Sequence, residues 1–166
     1  MDVVWGRVDE VGSDGQTNTV VTAMESYLTY LECSACGNCY SAEEVHHTCT
    51  GCGKVLCARY DLDRARRNLD RDWFQNRTPT MWRYFELMPV RDPEHVVSLG
   101  EGMTPLLRAE RLERQLGCSR LLIKEEGVNP TGSFKARGLS AAVSKARELG
   151  QMRLTLPSAG NAAGAL

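Results

Sequence analysis

Two cysteine pairs with the same internal spacing are the first residues in this chain that could do chemistry together. They are Cys33-x-x-Cys36 and Cys49-x-x-Cys52, with 12 residues between the pairs and a glycine after the second cysteine of each. Zinc takes four ligands in a tetrahedron and favours thiolates, and a two-residue gap lets one tight turn aim both sulfurs at one point. We therefore predict a zinc site with these four ligands, the alternative being four free thiols.

The predicted site is structural, because four thiolates leave no open position for a substrate. Cys39 and Cys57 are spare thiols near the pairs and could replace a ligand, as could His46 and His47. Metal binding would supply the stability that so small a module lacks. Cys118 lies far along the chain from this group, and we expect it to pack in a core.

Lys135 stands where a Gly/Pro turn joins a predicted strand to a predicted helix. A lysine in the first turn of a helix meets the positive end of the helix dipole, which disfavours the ammonium form, as burial does. A neutral amine is what Schiff-base formation requires. From the residues alone, the alternative of an exposed lysine near a helix start stays open.

The sequence around this lysine resembles a known family. Residues 129–135, Asn-Pro-Thr-Gly-Ser-Phe-Lys, are similar to the cofactor-lysine motif of fold-type II pyridoxal-phosphate (PLP) enzymes, and most closely to that of threonine synthases. Residues 100–106 and 157–163 resemble two further segments of that family, and cysteine knuckles ending in residues 58–62 occur in a subset of it. The resemblance covers roughly residues 24–166.

The resemblance implies roles for the residues that would hold the cofactor. Lys135 would form the Schiff base with PLP and later act as the proton-transfer base. Asn161 would donate a hydrogen bond to the 3′-oxygen of PLP. Ser133 and Phe134 would shape the turn and contact the cofactor.

The resemblance also implies a small-molecule amino-acid substrate. Thr104 would lie near this substrate, while Ser158, Ala159 and Gly160 would offer hydroxyl and backbone N–H groups to its carboxylate. The family reaction converts O-phosphohomoserine and water to threonine and phosphate.

Two alternatives to a threonine synthase stay open. Ala136-Arg137 after the lysine is also common in serine/threonine dehydratases, whereas many threonine synthases carry aspartate there; the cysteine knuckles weigh against a dehydratase or a β-replacement enzyme. The other alternative is a non-catalytic zinc-ribbon remnant that binds a partner.

Composition and pattern divide the chain into four parts. Residues 1–23 are interpreted as a flexible leader, with Met24 as a candidate native start. Residues 24–60 form a zinc-ribbon-like module, residues 61–95 a helical linker, and residues 96–166 the N-terminal part of a PLP-dependent α/β domain.

The last part is predicted to be a βαβ unit with a parallel sheet. Its elements are a strand at 120–124, a helix at 134–149 capped by Ser133, a second strand at 153–156 and the start of another helix at 162–166. The apolar positions of the long helix keep helical spacing; they are 139, 142, 143, 146 and 149. Polar and amphipathic helices are predicted at 61–72 and 81–88, the latter packing its aromatic residues against the α/β part.

Charge and length limit the remaining possibilities. The chain carries 20 basic and 21 acidic residues, net −1, which gives no indication of a nucleic-acid partner, and no apolar run is long enough for a membrane span. We expect a cytoplasmic protein that forms a homo-oligomer at full length. A βαβ unit cannot bury both faces of a sheet alone, so the chain is expected to be truncated and inactive by itself.

Overall fold

The computed structural model describes residues 24–166, and the predicted leader at 1–23 lies outside them. Five short strands and three α-helices, joined by 3₁₀ turns, make up this part of the chain. The strands are β1 Leu28–Cys33, β2 Cys39–Ser41, β3 Leu56–Tyr60, β4 Leu106–Arg108 and β5 Leu122–Lys124. The helices are α1 Leu62–Asn68, α2 Glu110–Leu116 and α3 Lys135–Glu148.

The cysteine-rich part forms a three-stranded antiparallel sheet with β1 in the centre, in the order β2-β1-β3. Leu31 pairs with Tyr40 on one side and with Ala58 on the other. The first turn of α1 follows β3 directly, where the Asp61 carboxylate accepts a hydrogen bond from the Arg64 N–H at 2.7 Å. The predicted polar helix at 61–72 is therefore confirmed but ends at residue 68.

The segment predicted as an amphipathic helix at 81–88 forms a 3₁₀ helix over Met81–Leu87. The Thr80 hydroxyl accepts a hydrogen bond from the Trp82 N–H, and the helix is interrupted at Tyr84 by non-helical backbone angles. Its side chains of Met81, Trp82 and Phe85, together with Val90 just beyond the helix, form the main buried cluster of the described residues. The predicted packing of these aromatic residues against the α/β part is confirmed, because Ala141 of α3 lies against this cluster.

The predicted parallel βαβ unit is wrong for residues 24–166. β5 exists, but it pairs antiparallel with β4, Leu107 lying opposite Ile123. Residues 153–156 form no strand, and most of that stretch is exposed. A strand needs a neighbouring strand to satisfy its backbone N–H and C=O groups, and none lies beside this stretch in the described part of the chain.

Helix α3 agrees with its prediction to within a residue at each end, and Gly150 follows it with φ +71°. Phe134 takes the N-cap position instead of Ser133, whose hydroxyl accepts a hydrogen bond from the Lys135 N–H at 3.3 Å. The face that packs on the rest of the chain is not the predicted apolar stripe. It consists of Ala136, Ser140 and Ser144.

This polar face is explained by what it packs against. Ser144 accepts a hydrogen bond from the Val97 N–H at 2.8 Å, and Ser140 donates one to the Val97 carbonyl at 2.7 Å. Val97 lies in an extended, non-sheet segment whose backbone groups must find partners when buried, and small hydroxyl side chains supply them at close range. The predicted apolar stripe stays half-buried or exposed.

Two further findings concern Cys118 and the length of the described helices. Cys118 is exposed, so its predicted role in core packing is wrong; it directly follows Gly117, which ends α2. None of the helices in the described residues has the length and apolar character needed to cross a membrane.

The Phe85 side chain, only 2% exposed, should be central to the stability of this arrangement. We expect Phe85→Ala to lower the free energy of unfolding by about 3–5 kcal/mol, the cost of truncating a buried aromatic residue. Urea denaturation measures this. Leu62→Ala, at a helix position that is 67% exposed, is the control and should change stability by less than about 0.5 kcal/mol. Equal effects of the two changes would contradict the assignment of the core.

Candidate functional site

The four cysteines of the paired motif come together at one point. Their sulfur atoms all lie within 4.8 Å of one another, and Cys33 and Cys49 are buried while Cys36 and Cys52 are exposed. The shortest Sγ–Sγ distances are 3.4 Å for Cys33–Cys52 and 3.5 Å for Cys36–Cys49. Tetrahedral zinc with bonds of about 2.3 Å separates its sulfur ligands by about 3.8 Å. The cluster is therefore compatible with zinc and too open for disulfides.

Each cysteine pair sits in a turn of the same design. Gly37 and Gly53 have φ of +74° and +70°, a region that favours glycine, and their N–H groups donate to the carbonyls of Cys33 and Cys49. This repetition accounts for the glycine after each pair in the sequence. The other candidate ligands lie outside the cluster; they are Cys39, Cys57, His46 and His47.

Tyr40 of β2 reaches the cluster from the side. Its hydroxyl lies 3.1 Å from the Cys49 sulfur and also accepts a hydrogen bond from the Thr50 N–H. The hydrogen bond from Tyr40 lowers the pKa of the Cys49 thiol to about 6. A thiol that ionises easily is ready to bind a metal, because the ligand is the thiolate.

Lys135 opens helix α3, as the sequence predicts. Its ammonium lies 4.6 Å from the centroid of the Phe134 ring, and Phe134 is itself 57% exposed. Among residues 24–166 the Lys135 side chain forms no ion pair. Ser133 beside it is buried and holds the backbone of the turn through the Lys135 N–H.

Two residues beyond Lys135, Arg137 anchors the start of the helix to the preceding loop. Its guanidinium binds both carboxylate oxygens of Glu126, at 2.6 and 2.8 Å. The Thr104 hydroxyl donates to the same carboxylate and accepts a hydrogen bond from Arg137 at 3.2 Å. The Asn129 amide donates to Glu126 at 3.0 Å, while its oxygen accepts from the Gly102 N–H.

This network joins two of the four segments that carry the resemblance, the one at residues 100–106 and the one that contains Lys135. The hydrogen bonds from Arg137 and Thr104 lower the pKa of Glu126 to about 2, so the carboxylate stays ionised. Thr104, predicted to lie near the substrate, is only 7% exposed, and its hydroxyl is committed to Glu126. A direct contact between this hydroxyl and a substrate therefore requires it to leave the network.

The buried carboxylate of Glu101 holds the other side of the Gly100–Pro105 loop. It accepts hydrogen bonds from the Trp82 indole N–H, the Ser98 hydroxyl and the Leu99 N–H. Burial acts to raise the pKa of Glu101, but its hydrogen bonds outweigh that effect and the pKa is lowered. Gly102 follows, and an added Cβ there would lie 2.4 Å from the Met81 nitrogen, so only glycine fits.

The turn containing Ser158, Ala159, Gly160 and Asn161 is separate from these contacts. Ser158 is half-buried and the other three residues are exposed. The Gly160 N–H, predicted to bind a substrate carboxylate, donates to the Ser158 hydroxyl at 3.2 Å. In the described part of the chain no hydrogen bond joins this turn to Lys135.

Sequence reasoning missed three residues of this site: Glu101, Glu126 and Arg137. Glu101 stands inside the segment at residues 100–106, Glu126 three residues before the lysine motif at 129–135, and Arg137 two residues after it. The signal that could have indicated the ion pair was the opposite charge of Glu126 and Arg137, which lie 11 residues apart on either side of a Gly/Pro turn. Pairing across such a turn depends on its path, which residue spacing alone does not give.

Comparison with known proteins agrees with the resemblance drawn from the motifs. Residues 97–166 match the family described as "Pyridoxal-phosphate dependent enzyme". The chain is 41% identical over 134 residues to the threonine synthase of Methanocaldococcus jannaschii. The aligned region covers 81% of this chain and 33% of that relative. The chain is also 41% identical over 140 residues to the threonine synthase of Methanosarcina acetivorans, covering 84% and 33% respectively.

A shorter match reaches a third organism. The threonine synthase of Halalkalibacterium halodurans is 42% identical over 91 residues, covering 52% of this chain and 25% of that relative. The predicted resemblance is thereby confirmed. The chain spans about one third of the length of the first two relatives.

Replacement of Glu126 by glutamine should weaken the network around Thr104 and Arg137. We expect Glu126→Gln to lower the free energy of unfolding at pH 7 by about 1–3 kcal/mol, the range for hydrogen bonds to charged groups. Chemical denaturation of both proteins measures it. Glu44→Gln, at an exposed residue without an ion pair in the described residues, is the matched control.

The same pair of proteins makes a pH test. The pKa of Glu126 is depressed in the folded chain, so its contribution is complete above its ordinary value of 4.5 and is lost as the pH falls towards about 2. The stability difference between wild type and Glu126→Gln should therefore shrink between pH 5 and about pH 3. A difference that stays constant over this range would contradict the ionised network.

Proposed function

We propose, since residues 97–166 belong to the pyridoxal-phosphate dependent enzyme family, that this chain is part of a threonine synthase that converts O-phosphohomoserine and water to threonine and phosphate. The matched relatives carry that name, which favours this activity over the dehydratase alternative. Because the chain spans about a third of those relatives, the proposal concerns the protein in which further residues complete the site. The 166 residues alone are expected to be inactive.

The observation that carries the proposal is that the Lys135 amine has no hydrogen-bond or ion-pair partner among residues 24–166, whereas two neighbouring lysines have one. Lys124 donates to the Thr104 carbonyl at 2.9 Å, and Lys145 forms an ion pair with Glu148 at 2.7 Å. Lys135 has no such partner among residues 24–166, which leaves its amine available for a carbonyl compound.

The fit of the cofactor depends on what surrounds this amine. The half-exposed Phe134 ring beside Lys135 offers an apolar surface to a flat aromatic ring. PLP, when bound, supplies an electron sink for the substrate carbanion. Lys135 would bind it and later carry the proton, and Asn161 would donate to its 3′-oxygen. Ser133 fixes the turn through the Lys135 N–H.

The substrate would lie between the Thr104 loop and the turn at residues 158–160. Ser158, Ala159 and Gly160 would bind its carboxylate through hydroxyl and N–H groups. The Gly160 N–H must first leave the Ser158 hydroxyl, so binding would rearrange this turn. The Glu126–Arg137 pair would keep Lys135 and the Thr104 loop in a fixed relation while that happens.

We further propose that the cysteine cluster holds a structural zinc ion and that residues 24–60 form a zinc-ribbon-like module. Sulfur separations near the tetrahedral value, together with the repeated glycine turns, support this assignment. Cys33, Cys36, Cys49 and Cys52 would be the four ligands. Residues 61–95 would then connect this module to the PLP domain at 96–166.

Selective labelling of Lys135 tests the enzyme proposal. The purified chain is mixed with PLP, reduced with borohydride and mapped by mass spectrometry. We expect the phosphopyridoxyl group on Lys135 in preference to Lys124 and Lys145, because the Nζ of Lys124 is engaged by the Thr104 carbonyl and the Nζ of Lys145 by the Glu148 carboxylate. Lys135→Arg should remove the main product.

Lys54 provides the internal control. It is exposed and distant in sequence from the motif, so it reports the reactivity of an ordinary surface lysine. Labelling of Lys54 equal to that of Lys135 would contradict an activated cofactor lysine. The zinc-ribbon remnant would then become the better interpretation of this chain.

Metal analysis tests the cysteine assignment. Protein purified under reducing conditions should contain one zinc ion per chain, and Cys49→Ser should lose it because a structural site needs all four thiolates. Cys118→Ser is the matched control and should keep its zinc, since Cys118 lies outside the cluster. Zinc retained by Cys49→Ser and by Cys33→Ser would contradict the four-ligand assignment.

A further inference from the structure

A cavity of about 550 Å³ lies outside every contact described above. It is bounded by the segment after α1 and by the Met81–Leu87 helix, and the residues that line it are Arg71, Asp72, Phe74, Gln75, Arg83 and Tyr84. Its volume is within the range of small-molecule sites. The charged lining residues are two arginines and one aspartate, so the lining carries a net positive charge.

Arg83 is a cation of this cavity whose hydrogen-bond donors are not all satisfied. Its Nε–H is buried without a hydrogen-bond partner among the described residues, and one terminal nitrogen lies 3.1 Å from the sulfur of Met103, a weak acceptor. Nearby Arg77, in contrast, has a strong acceptor, because both its terminal nitrogens donate to the Glu86 carboxylate, at 2.6 and 2.7 Å. A buried, unpaired N–H group costs free energy that an anionic acceptor would recover.

The other lining groups favour the same class of ligand. Arg71 forms no ion pair within residues 24–166, and the carboxylate of Asp72 accepts a hydrogen bond from the Gln75 amide at 2.9 Å. The Phe74 and Tyr84 rings lie 4.9 Å apart and form an aromatic wall. Two arginine forks beside such a wall are suited to an oxyanion, which each fork can bind through two hydrogen bonds.

We propose that Arg83 and Arg71 form a binding site for the oxyanion group of a small phosphorylated molecule. The site is also connected to the Gly100–Pro105 loop, because Arg83 contacts Met103, a non-glycine residue at φ +48° next to Thr104. An anion that draws the guanidinium towards the cavity would act on this loop. The shared chemistry is a phosphate group, whether on an amino-acid substrate or free in solution.

Phosphate protection tests the site without any change to the chain. The protein is treated with phenylglyoxal with and without inorganic phosphate, at constant ionic strength because surface charge is screened by salt. Mass spectrometry then gives the modification rate of each arginine. We expect phosphate to slow the reaction of Arg83 and Arg71 and to leave Arg66, an exposed residue of α1 outside the cavity, unchanged. Equal effects on all three would overturn the proposal.

Matched variants give the second measurement, phosphate affinity by calorimetry. Arg83→Gln should weaken binding about tenfold or more, and Arg83→Lys should recover only part of it, because lysine keeps the charge but not the fork. Arg66→Gln removes the same net charge and should leave the affinity unchanged. An equal loss in Arg66→Gln, or the absence of binding to the wild type, would overturn the site.

A third arm identifies the source of the phosphate group. O-phosphohomoserine binding much more tightly than inorganic phosphate, and losing that advantage in Arg83→Gln, would assign the site to the substrate of the proposed reaction. Equal affinities would assign it to free phosphate, and both results support the site. The outcome is independent of Lys135 labelling, so failure of the enzyme proposal and failure of this site are distinguishable.

Discussion

The indole N–H of Trp82 is the contact on which the rest of the structure depends. It donates to the buried carboxylate of Glu101 at 3.1 Å and to the hydroxyl of Ser140 at 2.9 Å. The first bond holds the Gly100–Pro105 loop and the second holds α3, so one side chain fixes two of the segments that flank the predicted cofactor lysine. A buried carboxylate without donors would carry a large desolvation cost, and the Trp82 indole is one of the donors that offset it, beside Ser98 and Leu99.

The cysteine-rich module is joined to the same helix at its far end. Arg91 donates to Glu43 of the module at 2.6 Å and to the Leu28 carbonyl at 2.9 Å, while its N–H donates to Glu148 at 2.6 Å. The Lys145 ammonium forms ion pairs with both carboxylates, at 3.6 Å to Glu43 and 2.7 Å to Glu148. Because Glu43 stands between the two cysteine pairs, a metal that orders this loop would also order the contacts at the end of α3.

The sequence predicted local features well and long-range ones poorly. The extent of α3 and the meeting of the four thiols depend on residues close in the chain; the first was predicted to within one residue at each end, and the second was found as predicted. The parallel sheet was wrong because strand pairing is decided by segments far apart. The buried face of α3 was missed because Ser140 and Ser144 look like surface residues until Val97 is placed against them.

The surroundings of Lys135, the proposed cofactor lysine, are a polar network instead of a simple apolar core. An apolar pocket would tolerate small shifts of the loop and the helix, since hydrophobic contacts are not directional. The bidentate pair of Arg137 with Glu126 is directional, and it restricts the first turn of α3 to one orientation relative to Thr104. The pair is partly exposed, so its value lies more in geometry than in stability. A catalytic amine must be held within a fraction of an ångström of its reacting partner, and directional contacts on both sides of Lys135 would meet that requirement in its proposed role.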